Sequence, residues 1–117
     1  MAEGRLRRVN EAIREVVGEH IAGDLKDPRI AFVTVTAVDT SPDLRHARVY
    51  VSVMGTTAER DDTLRALAAS HGYLQAHVGR ELRMKRTPRL QFVHDDSIER
   101  GMRISELIDR ETGGAGS

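Results

Sequence analysis

Two short stretches of the 117-residue chain carry side chains suited to acid–base, nucleophilic or metal chemistry. His94, Asp95 and Asp96 offer an imidazole and two carboxylates, which are suitable ligands for a divalent cation. They lie at the end of a strand-like stretch, where consecutive side chains point to opposite faces and do not converge on one ion. Asp96 is better interpreted as the cap of a last helix, with Glu99 completing a capping box.

The other stretch is Ser70-His71, where a hydroxyl and a potential base are adjacent. No third group that would orient the imidazole is identifiable, and adjacent residues of a helix diverge. His20 and His77 lie on or near apolar helix faces, which is typical of histidines at a core edge. A phosphate-binding loop of the G-x-x-x-x-G-K-[ST] type is absent. The sequence therefore predicts no enzyme, no catalytic residue, no metal site and no cofactor.

Basic side chains are placed unevenly, although 18 basic and 18 acidic residues give a formal net charge of zero. Sixteen of the 18 are arginine, whose planar guanidinium favours bidentate phosphate contacts. The segment Arg80–Arg89 holds five cations and one acid, Glu81, and three more cations lie in Arg5–Arg8. The dipole of a helix C-terminus accounts for two or three such cations. The cations beyond those two or three predict one basic edge that contacts nucleic acid.

Aromatic residues are scarce, which narrows the mode of nucleic-acid binding. Phe32, Tyr50, Tyr73 and Phe92 do not cluster as the stacking residues of an RRM or OB fold do. Recognition is therefore expected to depend on phosphate and backbone contacts. A glycine at a helix start, such as Gly72, lets a sugar-phosphate chain approach the free backbone N–H groups.

The elements that position these residues follow from hydrophobic periodicity. Helical spacing and period-two alternation predict one α+β domain of two layers over residues 1–110, with a flexible tail over 111–117. Cysteine is absent and no apolar run is long enough to span a membrane, so we expect a cytoplasmic protein. The predicted elements are a helix over Arg5–Ile21, an antiparallel pair of strands over Ile30–Val38 and Ala47–Met54, a helix over Thr57–Arg86 broken at Ser70–Gly72, a strand over Arg89–Asp95, and a last helix from Asp96 through Ile108.

This order, with a glycine between paired helices, resembles the type II KH domain, although GXXG is absent. The stretches SPDLRHARVYVSV, RMKRTPRLQFVHDDS and GMRISELI are more specifically similar to the bacterial ribosome-binding factor A family. The resemblance covers Arg5–Arg110. It implies a kink at Ser70-His71-Gly72 in place of GXXG, with serine where the family usually has alanine. It also implies binding to the free small ribosomal subunit and 16S rRNA, late maturation and 5′-end processing of that RNA, and cold adaptation.

The resulting hypothesis is a non-enzymatic assembly factor that binds 16S rRNA as a monomer, without a membrane or cofactor. A protein-binding adaptor that uses the exposed face of Arg48, Tyr50 and Ser52 or the last helix is the alternative. A small hydrolase that uses His71 or His94 is a third hypothesis. The residues predicted to contact RNA are Arg5, Arg7, Arg8, Arg45, Ser70, His71, Gly72, Arg80, Arg83, Lys85, Arg86 and Arg89.

Overall fold

The computed structural model describes residues 2–30 and 32–97. These residues form three helices and a three-stranded sheet, in the predicted order. The predicted last helix, its cap partner Glu99 and the tail lie outside the described residues. The elements are α1 (Ala2–Gly23), β1 (Val33–Thr40), β2 (His46–Val53), α2 (Thr57–Ala69), α3 (His71–Glu81) and β3 (Arg89–His94).

The sheet has the order β1-β2-β3. β1 pairs antiparallel with β2, as predicted, with a register shift between Val35 and Ala37. β2 pairs parallel with β3, so that Val49 lies beside Phe92. A parallel pair requires a crossover, and α2 and α3 supply it. The start of β3 is thereby placed beside the start of β2.

The core lies between one face of the sheet and the layer of helices. Alternation along β2 puts Val49, Val51 and Val53 on the covered face, where each is at most 5% exposed. The helices contribute the apolar faces that the periodicity predicted. Fully buried among these are Ile13 and Val17 of α1, Leu67 of α2, and Leu74 and Val78 of α3. No helix within 2–30 or 32–97 combines the length and apolar character that crossing a membrane requires.

α2 begins with a capping box that the sequence analysis did not identify. The Thr56 hydroxyl accepts from the Glu59 N–H, and the Glu59 carboxylate accepts from the Thr56 N–H, both at 3.1 Å. Gly55, with φ +128°, makes the turn before the cap. The sequence does contain the T-x-x-E pattern of a capping box, at residues 56–59, ahead of the apolar positions of α2. This cap fixes the start of the helix pair that carries the kink.

Candidate nucleic-acid interface

The break between α2 and α3 is confirmed, and Ser70 forms it. Ser70 has φ −94° and ψ 3°, and it ends α2 and caps α3. Its N–H donates to the carbonyls of Ala66 (3.1 Å) and Leu67 (3.0 Å), while its own carbonyl accepts from the Leu74 N–H (3.1 Å). The serine hydroxyl makes no cap hydrogen bond to α3.

Gly72 does not make the bend, although the predicted break over Ser70–Gly72 includes it. It is the second residue of α3 and has no left-handed backbone conformation. A Cβ built on Gly72 meets nothing within 4 Å, so the glycine is not required by packing either. What the glycine leaves at this position is an open approach to the first turn of α3.

A groove of about 510 Å³ runs between the junction and the start of β3. Ala68 and His71 line it from the helices. The His71 Nδ1–H donates to the Ala68 carbonyl at 2.7 Å, which holds the imidazole against the helix pair. The residues that line the opposite side, on the sheet, are His46, Arg89, Leu90, Gln91 and Phe92. We call this the kink groove.

The kink groove continues towards the β1–β2 connection. A neighbouring groove of about 420 Å³ shares His46 and Gln91 with it and adds Arg48 and the 39–42 segment. The Arg89 N–H donates to the Arg45 carbonyl at 2.8 Å, so these two predicted residues are adjacent. Sequence reasoning selected neither His46 nor Arg48 for RNA contact. The alternation of buried and exposed side chains along β2 could have indicated them, because it places His46 and Arg48 on the exposed face of the strand.

At its other end, α3 terminates in a Schellman motif. The Arg83 N–H donates to the Arg80 carbonyl (3.4 Å), and the Met84 N–H donates to the Gly79 carbonyl (3.0 Å). Arg83 has φ 51°, in the left-handed region where glycine is the usual residue. The helix therefore ends at Glu81, five residues before the predicted Arg86. The sequence pattern did not indicate this helix end, because an arginine and not a glycine occupies the left-handed position.

Two of the predicted cations, Arg83 and Arg89, consequently lie at opposite ends of α3. Arg89 lines the kink groove. Arg83 lies at the C-terminal end of α3, the end opposite the kink groove. The helix is about 16 Å long, since it has 11 residues at ~1.5 Å each. Arg8 is near that same C-terminal end, since it lines an apolar cleft with Leu82 and Met84. The basic surface thus has a part at the kink groove and a part at the α1–α3 end.

Ion pairs engage four of the arginines in the described residues, one of which, Arg45, belongs to the predicted set. Arg14, Arg29 and Arg65 each pair with a carboxylate close in sequence. The hydrogen bonds from Arg29 lower the pKa of Asp27 to about 2. Arg45 is 3.9 Å from the Asp43 carboxylate. Within 2–30 and 32–97, no ion pair involves Arg5, Arg7, Arg8, Arg80, Arg83, Lys85, Arg86 or Arg89.

The two stretches considered first for chemistry do not form an active site. Asp95 accepts from the Thr36 hydroxyl (2.6 Å) and from the Ser97 N–H (2.9 Å), one at each carboxylate oxygen. His94, Asp95 and Asp96 do not converge as a metal-ligand group. His71 is bonded to a backbone carbonyl and not to the Ser70 hydroxyl.

Solved structures share this fold. Ribosome-binding factor A from Thermus thermophilus matches with a TM-score of 0.69 and 32% identity, over 76% of this chain and 93% of that one. A Thermotoga maritima protein described as a putative ribosome-binding factor A matches with a TM-score of 0.69 and 33% identity, over 79% and 88%. These neighbours have a KH-like fold, which confirms the predicted two-layer type II KH-like architecture.

Sequence comparison gives the same assignment. The family model described as "Ribosome-binding factor A" matches residues 5–108. The factor from Desulforamulus reducens is 43% identical over 104 residues, 89% of this chain and 87% of its own. That from Clostridium tetani is 42% identical over 111 residues, 94% and 92%. These relatives are ribosome-binding factors and not enzymes, which confirms the prediction of a non-enzymatic protein. The chain belongs to the ribosome-binding factor A family.

Proposed function

We propose that this protein binds the free small (30S) ribosomal subunit through 16S rRNA and supports its late maturation, including 5′-end processing and growth in the cold. The observation that carries the proposal is the set of exposed cations at the two ends of α3. None of the eight from Arg5–Arg8 and Arg80–Arg89 has an ion-pair partner among the described residues. A homology model of the Thermus thermophilus factor, fitted into the cryo-EM map of its complex with the 30S subunit, supports it and matches this chain with a TM-score of 0.63.

The kink groove is the part that we assign to the RNA backbone. The Ser70 hydroxyl makes no cap hydrogen bond to α3, and a backbone N–H at the junction donates to the Ala68 carbonyl of α2. Gly72 leaves the first turn of α3 uncovered, while Arg89 lines the kink groove and Arg48 lines the neighbouring groove on the sheet side. Two guanidiniums beside an uncovered helix turn form a binding surface for phosphate groups.

Arg83 supports a contribution from the other end of α3. A left-handed conformation costs a residue with a side chain roughly 1–2 kcal/mol, and glycine avoids that cost. An exposed arginine at this position makes no ion pair within the described chain that would offset the strain. A role for its charge in binding an external partner gives a physical reason for arginine at this position.

The proposal is tested by sedimenting the protein with purified 30S subunits, with and without competing single-stranded RNA. Replacing Arg48 and Arg89 together by alanine removes two exposed cations from the grooves, so we expect at least tenfold weaker binding. The matched control replaces Arg60 and Arg65 of α2, which line neither groove, and is expected to bind within twofold of the parent protein. Equal losses in the two variants would contradict the assignment of the kink groove.

Salt dependence measures how many phosphates are contacted. About five phosphate contacts give a log–log slope near −3.5 for single-stranded RNA, because each contact releases about 0.7 counterion. The affinity for a single-stranded 16S rRNA fragment is measured at several salt concentrations between about 50 and 200 mM. An affinity that does not change over this range would overturn recognition through phosphates. Sedimentation velocity of the free protein tests the accompanying expectation of a monomer.

A protein-binding adaptor remains the second candidate, because one observation favours it. Phe32 is 74% exposed and Met54 is 75% exposed, and the Met54 N–H donates to the Phe32 carbonyl at 3.3 Å. Two large apolar side chains at one end of the β1–β2 pair are a potential protein contact. Binding to the 30S subunit that survives nuclease treatment and is lost on replacing Phe32 and Met54 by serine would favour this function over RNA contact.

A further inference from the structure

A second cluster of chemically active side chains lies where α1 packs on α3, and none of its members lines the kink groove. His20 is in the last turn of α1, and the Asp24 N–H just beyond the helix donates to its carbonyl (3.0 Å). His77 and Glu81 lie one turn apart on α3. Both pairs have i,i+4 spacing, which puts the members of each pair on one side of their helix. Two imidazoles and two carboxylates therefore face each other across the interface.

Three of the four side chains, His20, Asp24 and His77, are already close enough to share one ion, and Glu81 contacts the two imidazoles. His20 Nδ1 contacts Asp24 Oδ2, and His20 Nε2 is 2.5 Å from Glu81 Oε2. His77 Nδ1 is 3.3 Å from the same Glu81 oxygen. Potential ligand atoms of His20, Asp24 and His77 all lie within 4.8 Å of one another. Ligand atoms around tetrahedral Zn²⁺ are about 3.4 Å apart for bonds of ~2.1 Å, so small side-chain rotations bring these three ligands to one ion.

Burial and outer contacts suit a site that an ion can enter. The imidazoles of His20 and His77 are 15% and 19% exposed, whereas the carboxylates of Asp24 and Glu81 are 35% and 38% exposed. The ligands are thus held by the helix interface on one side and open to solvent on the other. The Tyr73 hydroxyl donates to Asp24 Oδ2 at 2.7 Å, the kind of outer-shell bond that orients a metal-ligating carboxylate.

We propose that His20, Asp24 and His77 form a site for a divalent transition-metal ion, with Zn²⁺ the best match and Glu81 as the outer partner that orients the His20 ring. Two nitrogen ligands and one oxygen ligand, with a fourth position left for water, suit tetrahedral Zn²⁺, whereas Mg²⁺ and Ca²⁺ prefer oxygen ligands alone. The site departs from the sequence-based prediction of no metal, which treated His20 and His77 as core-edge histidines. Metal binding would tie the end of α1 to α3. The site does not depend on how the protein binds the ribosome.

The test is a titration of the untagged, chelator-treated full chain with Zn²⁺ in competition with a chromophoric indicator. We expect one equivalent of Zn²⁺ per chain and a rise in the midpoint of thermal unfolding when Zn²⁺ is present. His77→Asn and Asp24→Asn are expected to weaken binding at least tenfold and to abolish the rise. His71→Asn removes an α3 histidine outside the cluster and should leave both results unchanged.

Co²⁺ supplies an independent readout, because tetrahedral Co²⁺ absorbs visible light far more strongly than octahedral Co²⁺. The parent chain and His71→Asn should give this intense absorption, and Glu81→Gln should reduce it. Glu81 is partly exposed, so this substitution keeps the fold even if a histidine variant does not. The proposal is overturned if Zn²⁺ does not saturate at one equivalent, or if His71→Asn weakens binding as much as His77→Asn.

Discussion

Gly72 and Gly79 lie in the same helix, α3, and their surroundings are opposite. A Cβ on Gly72 would meet nothing within 4 Å. A Cβ on Gly79 would overlap Thr87 Oγ1, with Thr87 Cβ and Cγ2 at 3.6 and 3.8 Å. The glycine at the break is therefore free of packing constraint, whereas the one inside the regular helix is required by it. A visible interruption in a helical pattern does not show which glycine the fold needs.

The same contrast holds for the two ends of α3. The N-terminal end opens onto the kink groove, and Ser70 precedes it without a side-chain cap hydrogen bond. The C-terminal end is closed by the Schellman motif and by the contact with Thr87. We infer that substitutions at the second end change stability more than substitutions at the first end do. Four substitutions test this difference, in order of decreasing expected effect.

Gly79→Ala is expected to destabilise the fold by about 1–2 kcal/mol. Overpacking costs ~1–3 kcal/mol, and the better helix propensity of alanine returns up to about 1 kcal/mol of that. Thr87 is β-branched and stiff at χ1, so it cannot move aside freely. Urea unfolding measures the change. The double variant with Thr87→Ala should show a favourable coupling energy, and additive effects would contradict direct contact between the two residues.

Arg83→Gly is expected to stabilise the fold by about 0.5–1 kcal/mol. Relief of the left-handed strain, ~1–2 kcal/mol, exceeds the extra chain entropy of glycine, ~0.5–1 kcal/mol. If Arg83 contacts a phosphate, the salt dependence of RNA binding should become shallower by about 0.7 in the same variant. Thermal unfolding and a salt titration measure the two effects. Arg86→Gly is the control, because Arg86 has no positive φ and should gain no stability.

Gly72→Ala is expected to stabilise the protein by about 0.5 kcal/mol, since alanine is the better helix former and nothing obstructs its methyl group. Binding to the 30S subunit should weaken if RNA approaches the first turn of α3 closely. A loss of stability would contradict the open surroundings of Gly72, and unchanged binding would remove this position from the interface.

Ser70→Ala is expected to change the unfolding free energy by less than about 0.5 kcal/mol. The hydroxyl makes no cap hydrogen bond, and the backbone bonds of Ser70 do not depend on its side chain. Thr56→Ala is the matched comparison, because its hydroxyl caps α2, and it should cost about 1 kcal/mol. Equal effects of the two substitutions would show that Ser70 stabilises the junction after all.

Local patterns determined the elements and their order. The 3.6-residue spacing of α1, the alternation of β2 and the interrupted propensity at residues 70–72 each act within a few residues, and a single sequence displays them fully. The helical period hid the end of α3, because the Schellman motif places a left-handed arginine where glycine is usual. Arg83 and Arg89 therefore belong to one basic run in the sequence, but they lie at opposite ends of a helix in the structure.

The sequence by itself thus determined the fold class, the family and the approximate position of the kink, because these follow from periodicity and from local motifs. Only the tertiary structure decided which side chains meet. The parallel pairing of β2 with β3 brings His46 to Arg89 across more than 40 positions. The packing of α1 on α3 brings His20 to Glu81, 61 residues away. Such contacts depend on how whole elements cross, and the spacing of residues within one element does not specify that.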